Sequence, residues 1–172
     1  MHGLAQREGA ITCHTRYQKK TFEDDRKNLH SPLICYGDAD IFICFEPIEA
    51  LRRGIFASHK TSFVVNEYEI PSVTITADLE EYPSFDKIKE ILYGYSQEIY
   101  FINATELALK EFSTTQQMNL IMLGYAIPTR KLPFIEIEHY EEVIKEWLED
   151  PDKNIKALNL GLQEGRKVIH SV

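Results

Sequence analysis

The sequence predicts a three-layer α/β/α domain with a central, mostly parallel or mixed sheet and a helical C-terminal part. Two patterns indicate this class. Short β-branched and aromatic runs alternate with amphipathic helical stretches up to about residue 112, as in sheets whose neighbouring strands are joined by helices. From about residue 114 to residue 172 only helical patterns recur. At 172 residues the chain fits one domain over 1–172, since a single core is adequate at this size.

The stretch 39–52 predicts a strand followed at once by a helix. Ile41 to Phe45 are consecutive apolar residues, typical of a strand buried on both faces, and we place this strand at the centre of the sheet. Pro47 suits the first turn of a helix, because it lacks the N–H that would stay unpaired there, and we expect the helix to continue to Phe56.

Glu46 falls between this strand and this helix, at the edge where open α/β sheets bind ligands. Two interpretations remain open. The helix dipole favours a carboxylate that merely satisfies the helix N-terminus. The alternative is a crevice residue that meets a ligand, and Glu46 is therefore a candidate site residue.

Other strands are predicted by alternation or by β-branched residues. Residues 9–17 alternate in the period of a strand with two different faces. Residues 61–65 are β-branched enough for a buried strand that ends at Asn66. Residues 73–76 alternate and predict a short edge strand, and residues 98–102 are again strand-like.

Helices are predicted where apolar residues recur every three or four positions. Ser84 is the expected N-cap of a helix over 85–97, and Asn103 or Ala104 starts the next one. Thr114 or Thr115 is expected to cap a further helix that Pro128 ends.

Two more helices complete the C-terminal part. Residues 139–148 place their apolar side chains on one stripe, namely Tyr140, Val143, Ile144 and Trp147. Asp152 is the expected cap of the last helix, which contains Gly161 and Gly165. Because a helical glycine costs about 1 kcal/mol relative to alanine, this pair indicates close approach of another element or of a partner.

Charge and hydropathy limit the partners. The formal net charge is −8. Residues 1–30 contain six Lys/Arg and four Asp/Glu, whereas residues 31–172 contain thirteen Lys/Arg and twenty-three Asp/Glu. The acidic character of this larger part argues against nucleic acid as the partner. The longest nearly apolar run, 120–127, is far shorter than the roughly 20 residues that cross a bilayer, and no leader pattern opens the chain. We expect a cytoplasmic protein that binds no membrane.

The chemistry-bearing residues form no ligand set in the sequence. Cys13, Cys35 and Cys44 are odd in number and lack C-x-x-C spacing, so neither disulfides nor a zinc or iron-sulfur site is predicted. The motifs of dinucleotide, P-loop phosphate, H-E-x-x-H zinc and G-x-S-x-G sites are absent. Catalytic residues are therefore not assigned, and no cofactor or metal is expected in this chain.

The opening is unusual, because two glycines and a Gln-Arg pair lead directly into an alternating segment. This loop comprises His2, Gly3, Gln6, Arg7 and Gly9. Glycine permits backbone shapes that other residues resist, and Arg7 offers a planar, permanently charged fork suited to a carboxylate or phosphate. Such a loop suits recognition.

A family resemblance joins this opening to later segments. In order, these are His2 to Gly9, Cys13-His14-Thr15-Arg16, Ser31-Pro32-Leu33-Ile34, Ala39-Asp40, Phe45-Glu46-Pro47-Ile48-Glu49-Ala50-Leu51-Arg52, Asn119 to Gly124, Leu132-Pro133, and Lys153-Asn154 with Ala157, Gly161 and Gly165. The chain resembles the γ-type subunit of 2-oxoacid:ferredoxin oxidoreductases (the pyruvate/ketoisovalerate oxidoreductase catalytic domain family) over essentially its whole length. Within that family it is most similar to indolepyruvate ferredoxin oxidoreductase β subunits.

The sequence departs from this family in two places. Members usually begin with a strand and a Gly-Gly-Gln-Gly turn into a helix, and this sequence starts after that point, so we expect the N-terminal βα unit to be missing. Members more often have Gly-Gly where Glu8-Gly9 stands, and the loop is expected to differ locally.

The resemblance implies a hetero-oligomeric enzyme of anaerobic metabolism. It would convert an aryl, indolepyruvate-like 2-oxoacid to its acyl-CoA by oxidative decarboxylation, with CoA as co-substrate and ferredoxin as electron acceptor. Thiamine diphosphate, magnesium and 4Fe-4S clusters would belong to the large thiamine-binding partner subunit. This chain would be the companion subunit, inactive alone. Its loop His2 to Gly9 would contact the substrate or the large subunit, or would simply anchor the first strand to the subunit interface. The alternatives are a non-catalytic α/β scaffold or binding protein derived from the family, and the γ subunit of a pyruvate or ketoisovalerate oxidoreductase.

Overall fold

The computed structural model describes residues 11–17, 31–69, 82–132 and 135–169. Three strands are present in this part of the chain: β1 (Ile41–Cys44), β2 (Ser62–Asn66) and β3 (Ile99–Ile102). The α-helices described are α1 (Pro47–Arg52), α2 (Phe85–Tyr95), α3 (Ala104–Phe112), α4 (Met118–Ala126), α5 (Ile137–Trp147) and α6 (Pro151–Ile169), with short 3₁₀ turns at Gly54–Phe56 and Ile127–Thr129.

The described strands form one parallel sheet in the order β1-β2-β3. Phe63 of β2 is the Cα partner of Phe42 in β1 and of Ile99 in β3. All five residues of β2 are buried, whereas β1 is mostly half-buried and the next residue, Phe45, is 44 % exposed. The prediction that Ile41 to Phe45 is the central, fully buried strand was therefore wrong for the described sheet, because β2 occupies that position.

The three-layer α/β arrangement is confirmed by the side chains of β2, which alternate between two apolar clusters. Phe63 and Val65 pack with residues of α1 and α2, including Ala50 and Leu92. Val64 points to the opposite face and packs with residues of α3, α4 and α6. The two helices that connect neighbouring strands therefore lie on one face, and α3, α4 and α6 lie on the other.

Helices α4 and α6 touch through their backbones. A Cβ added at Gly124 would lie 2.0 Å from the Leu158 carbonyl oxygen, and one added at Gly161 would lie 2.0 Å from the Ile121 carbonyl oxygen. At Gly165 the distance to the Tyr125 oxygen would be 2.7 Å. The close approach predicted from Gly161 and Gly165 is confirmed, and the neighbour is another element of this chain.

Several helix boundaries follow the sequence prediction. The Ser84 side chain accepts a hydrogen bond from the Lys87 N–H and caps α2, and Asn103 caps α3 by accepting from the Glu106 N–H. Helix α4 ends at Ala126, two residues before Pro128.

Other boundaries differ. The cap residue of α4 is Gln117, with no side-chain capping bond, and not Thr114 or Thr115. Helix α6 begins at Pro151, so Asp152 lies inside its first turn. The α-helix expected to reach Phe56 ends at Arg52 and gives way to the 3₁₀ turn.

Residues 11–17 form no strand, contrary to the alternation of residues 9–17. Side chains hold this segment instead: the Ile34 N–H donates to His14 Nδ1 at 3.1 Å, and Arg16 Nη1 donates to the Ser31 carbonyl at 2.8 Å. The edge strand predicted at 73–76 lies outside the described residues.

Candidate functional site

A polar side chain lies at or just beyond the carboxyl end of each described strand. Glu46 comes two residues after β1, Asn66 is the last residue of β2, and Asn103 follows β3 directly. Because the strands are parallel, these positions share one edge of the sheet, where open α/β sheets bind ligands. Phe45 and Tyr68, which follow β1 and β2, keep nearly half of their surface exposed.

Glu46 is fixed by two hydrogen bonds through its two carboxylate oxygens. Oε2 accepts from the Glu49 N–H at 3.1 Å, which caps the first turn of α1, while Oε1 accepts from the Tyr82 hydroxyl. The side chain is buried. The capping interpretation of Glu46 is thus observed, and the same carboxylate anchors the chain ahead of α2.

Burial governs the protonation of this pair. It raises the pKa of the Glu46 carboxyl above its ordinary 4.5, and the hydrogen bonds from Tyr82 and from the Glu49 N–H act in the opposite direction. Burial also raises the pKa of the Tyr82 phenol, with a further contribution from the hydrogen bond to Glu46. Tyr82 therefore keeps its proton at neutral pH and acts as the donor.

Cys44 ends β1 beside this pair and is buried. Burial, then the charges of Glu49 and Glu46, raise the pKa of its thiol to about 12. A thiol that stays protonated is a poor nucleophile at neutral pH. Cys44 is therefore a small buried residue of the core.

Asn66 joins the elements of the edge and was missed as a functional candidate by the sequence analysis. Its Nδ2 donates to the Phe45 carbonyl at 3.0 Å and to Thr105 Oγ1 at 2.9 Å, and its Oδ1 accepts from the Ala104 N–H at 3.0 Å. The side chain is fully buried. An asparagine that ends a β-branched run, with a second one, Asn103, after the next strand, was the signal available in the sequence.

This edge is a rigid scaffold built by hydrogen bonds within the chain. Both Glu46 oxygens are used internally, so the geometry supports a positioning role for this carboxylate, and its contact with a ligand remains a prediction. The other predicted site residues lie outside the described residues: His2, Gly3, Gln6, Arg7 and Gly9.

The described residues contain no group of three or more His, Cys, Asp and Glu side chains arranged to hold a metal ion. Within the same residues, no helix combines the length and apolar character needed to cross a membrane.

Comparison with known proteins covers nearly the whole chain. The pyruvate ferredoxin/flavodoxin oxidoreductase family matches residues 1–164. The indolepyruvate oxidoreductase subunit IorB of Archaeoglobus fulgidus is 33 % identical over 165 residues, which are 95 % of this chain and 77 % of that protein. The subunits of the same name from Pyrococcus horikoshii and Thermococcus kodakarensis are 29 % and 26 % identical, over 99 % and 98 % of this chain and 81 % and 80 % of theirs. The chain therefore belongs to the pyruvate ferredoxin/flavodoxin oxidoreductase family.

Proposed function

We propose that this chain is the companion subunit of a thiamine-diphosphate-dependent 2-oxoacid:ferredoxin oxidoreductase that acts on an aryl, indolepyruvate-like 2-oxoacid. The observation that carries the proposal is the similarity to IorB subunits over nearly the full chain, within a family match that spans residues 1–164. In this reaction the C–C bond to the carboxylate breaks and releases CO₂. The acyl group is then transferred to the CoA thiol, which releases its proton, and two electrons pass to oxidised ferredoxin.

The redox cofactors are proposed to lie in the large thiamine-binding subunit. A 4Fe-4S cluster needs thiolate ligands. In the described residues Cys13 and Cys35 are exposed, Cys44 is a buried neutral thiol, and no group of three ligating side chains is present. These residues do not fit an iron-sulfur cluster or a metal.

The role proposed for this chain is to complete and shield the active-site region of the large subunit. Asn66 and Glu46 hold the carboxyl edge of the sheet in a fixed shape, which suits a surface against which another subunit packs. Ferredoxin would be reached through the assembled complex. We place the assembly in the cytoplasm, with no nucleic acid or membrane as partner.

The loop His2 to Gly9 is the proposed contact with substrate or with the large subunit. A charge-assisted hydrogen bond from Arg7 is worth about 1.5–3 kcal/mol, whereas a surface substitution changes the free energy of unfolding by about 0.5 kcal/mol or less. Arg7→Ala should therefore lower kcat/KM of the reconstituted enzyme, or weaken subunit association, by roughly ten- to a hundredfold at an unchanged melting temperature. Unchanged turnover and association would remove this role, and a large loss of melting temperature would identify a structural anchor.

The central experiment is anaerobic co-expression of this chain with the large subunit from the same genome. Formation of acyl-CoA and reduction of ferredoxin are measured for the pair and for each subunit alone, with indolepyruvate, phenylpyruvate, pyruvate and ketoisovalerate. We expect turnover by the pair only and highest kcat/KM with the aryl acids. Preference for pyruvate or ketoisovalerate would indicate the corresponding γ subunit, and a stable complex without turnover of any acid would indicate a scaffold protein.

A further inference from the structure

Helix α5 exposes an unusual amount of apolar surface. Trp147 is 74 % exposed, Val143 is 56 % exposed and Leu148, directly after the helix, is 43 % exposed. Ile144 is the residue by which the helix is buried against the rest of the molecule. In the apolar stripe predicted over residues 139–148, Ile144 therefore faces the core, whereas Val143 and Trp147 are exposed to solvent.

The same segment concentrates the negative charge of the protein. Residues 136–150 contain seven Asp/Glu and one Lys, a net charge of −6. The rest of the chain has twenty acidic and eighteen basic residues, a net charge of −2. Lys145 lies within 4.0 Å of Glu141, so the one basic side chain of the segment already faces an acidic neighbour.

The apolar and acidic side chains run side by side along α5. Val143 and Trp147 are four residues apart and share one line on the helix surface, and Glu142 and Glu146 form the adjoining line toward solvent. We define these four residues as the α5 face. An exposed indole bordered by carboxylates is the composition of an interface anchor, since tryptophan dominates binding energy where it enters a partner's pocket.

The negative charge of residues 136–150 limits the class of partner that can bind this face. A second copy of this chain would bring two segments of −6 together, and nucleic acid or an anionic membrane would meet the same repulsion. The complementary surface is a protein face with an apolar pocket wide enough for an indole and a rim of Lys and Arg. Resting on the function proposed above, we infer that the α5 face docks into such a pocket on the large thiamine-binding subunit.

The first measurement uses the fact that Trp147 is the single tryptophan of the chain. Labelling the chain with 5-fluorotryptophan gives one ¹⁹F resonance, and the unlabelled large subunit adds none. The change in chemical shift between H₂O and D₂O reports whether the ring is solvated. We expect this solvent shift to fall by more than half when the large subunit is added.

The second measurement compares dissociation constants of variants. Trp147→Ala should weaken binding of the large subunit about thirtyfold, as for a tryptophan at the centre of an interface. Glu142→Lys with Glu146→Lys should weaken it at least tenfold at about 50 mM salt and lose most of that difference at about 500 mM. Leu109→Ser on α3 and Glu90→Lys on α2, both at exposed positions, are the matched controls and should change binding less than twofold.

The outcomes separate this inference from the proposed function. Weakened binding by the α5 variants alone, with melting temperatures like the parent's, supports the inference. A complex that forms with unchanged affinity for Trp147→Ala and an unmoved ¹⁹F resonance overturns the docking site while leaving the companion-subunit function intact. Dimers of this chain that Trp147→Ala dissociates would overturn it in favour of self-association. Failure of the parent chain to bind the large subunit at all overturns both.

Discussion

Adding one methyl group at Gly161 should force α4 and α6 apart. The ideal Cβ of an alanine there would lie 2.0 Å from the Ile121 carbonyl oxygen, and Cβ atoms essentially never approach other heavy atoms within 3.0 Å. The helices must therefore separate by at least 1.0 Å at this point. Both atoms belong to relatively rigid helices, so rotation of a flexible side chain cannot relieve the contact.

Two opposing effects determine how much Gly161→Ala changes the free energy of unfolding. Glycine to alanine in a helix gains about 1 kcal/mol of intrinsic helix propensity. A gap of about 1 Å forfeits up to half of the dispersion energy of each contact across it, and overpacking in cores costs about 1–3 kcal/mol or more. The buried residues Ile121, Tyr125 and Leu158 lie along this contact. We therefore expect Gly161→Ala to lower the free energy of unfolding by about 1–2 kcal/mol, and the melting temperature by roughly 2–8 °C.

Gly94→Ala is the matched control. Gly94 lies inside α2, and its Cβ would meet no heavy atom within 4 Å, so only the propensity gain applies and this variant should be more stable than the parent by about 0.5–1 kcal/mol. Urea denaturation of the parent and of both variants, with calorimetric melting as a second probe, measures the difference. If Gly161→Ala were as stable as Gly94→Ala, the backbones of α4 and α6 would not be in contact.

Three further predictions concern the carboxyl edge of the sheet. Asn66→Leu should lower the free energy of unfolding by about 2–5 kcal/mol in urea titrations, because it leaves a buried N–H and two acceptors unpaired. Because the folded-state pKa of Glu46 is raised, its protonated form stabilises the folded protein, and this stabilisation is lost as the pH rises above about 4.5. Glu46→Gln should therefore gain stability relative to the parent from pH 4 to pH 7, as measured by the urea midpoints of both proteins. A loss of stability relative to the parent over this range would contradict the prediction. Iodoacetamide at about pH 8 should alkylate Cys13 and Cys35 in the folded protein and reach Cys44 only in denaturant, as counted by intact mass.

Local signals predicted those parts of the fold in which one side chain decides the structure. Ser84 and Asn103 cap helices because a short polar side chain can accept from the first-turn N–H groups, a property visible without tertiary structure. The β-branched run ending at Asn66 predicted β2 for a similar reason. Gly161 predicted close packing, although not the identity of its neighbour.

Features that depend on neighbours distant in sequence were not predictable in this way. The alternation of residues 11–17 meets no strand partner in the described structure, and His14 and Arg16 bind residues 31–34 through their side chains instead. A run of five apolar residues at 41–45 does not show whether a neighbouring strand pairs with both of its edges. The predicted burial of β1 was therefore higher than the burial observed. The exposure of Trp147 similarly depends on how far the core extends around α5, which periodicity does not encode.

The two sides of β2 are covered by parts of the chain that a ribosome would make at different times. Residues up to the end of α2 supply the helices that cover Phe63 and Val65, so that side can be enclosed while synthesis is still under way. Val64 and Ile102, on the other side, depend on α4 and α6, and α6 extends to Ile169. In a nascent chain the face of β2 with Phe63 and Val65 can be covered by helices, whereas the face with Val64 stays exposed until the last third of the chain is synthesised. The glycine-lined contact of α4 with α6 therefore cannot form before α6 has been synthesised.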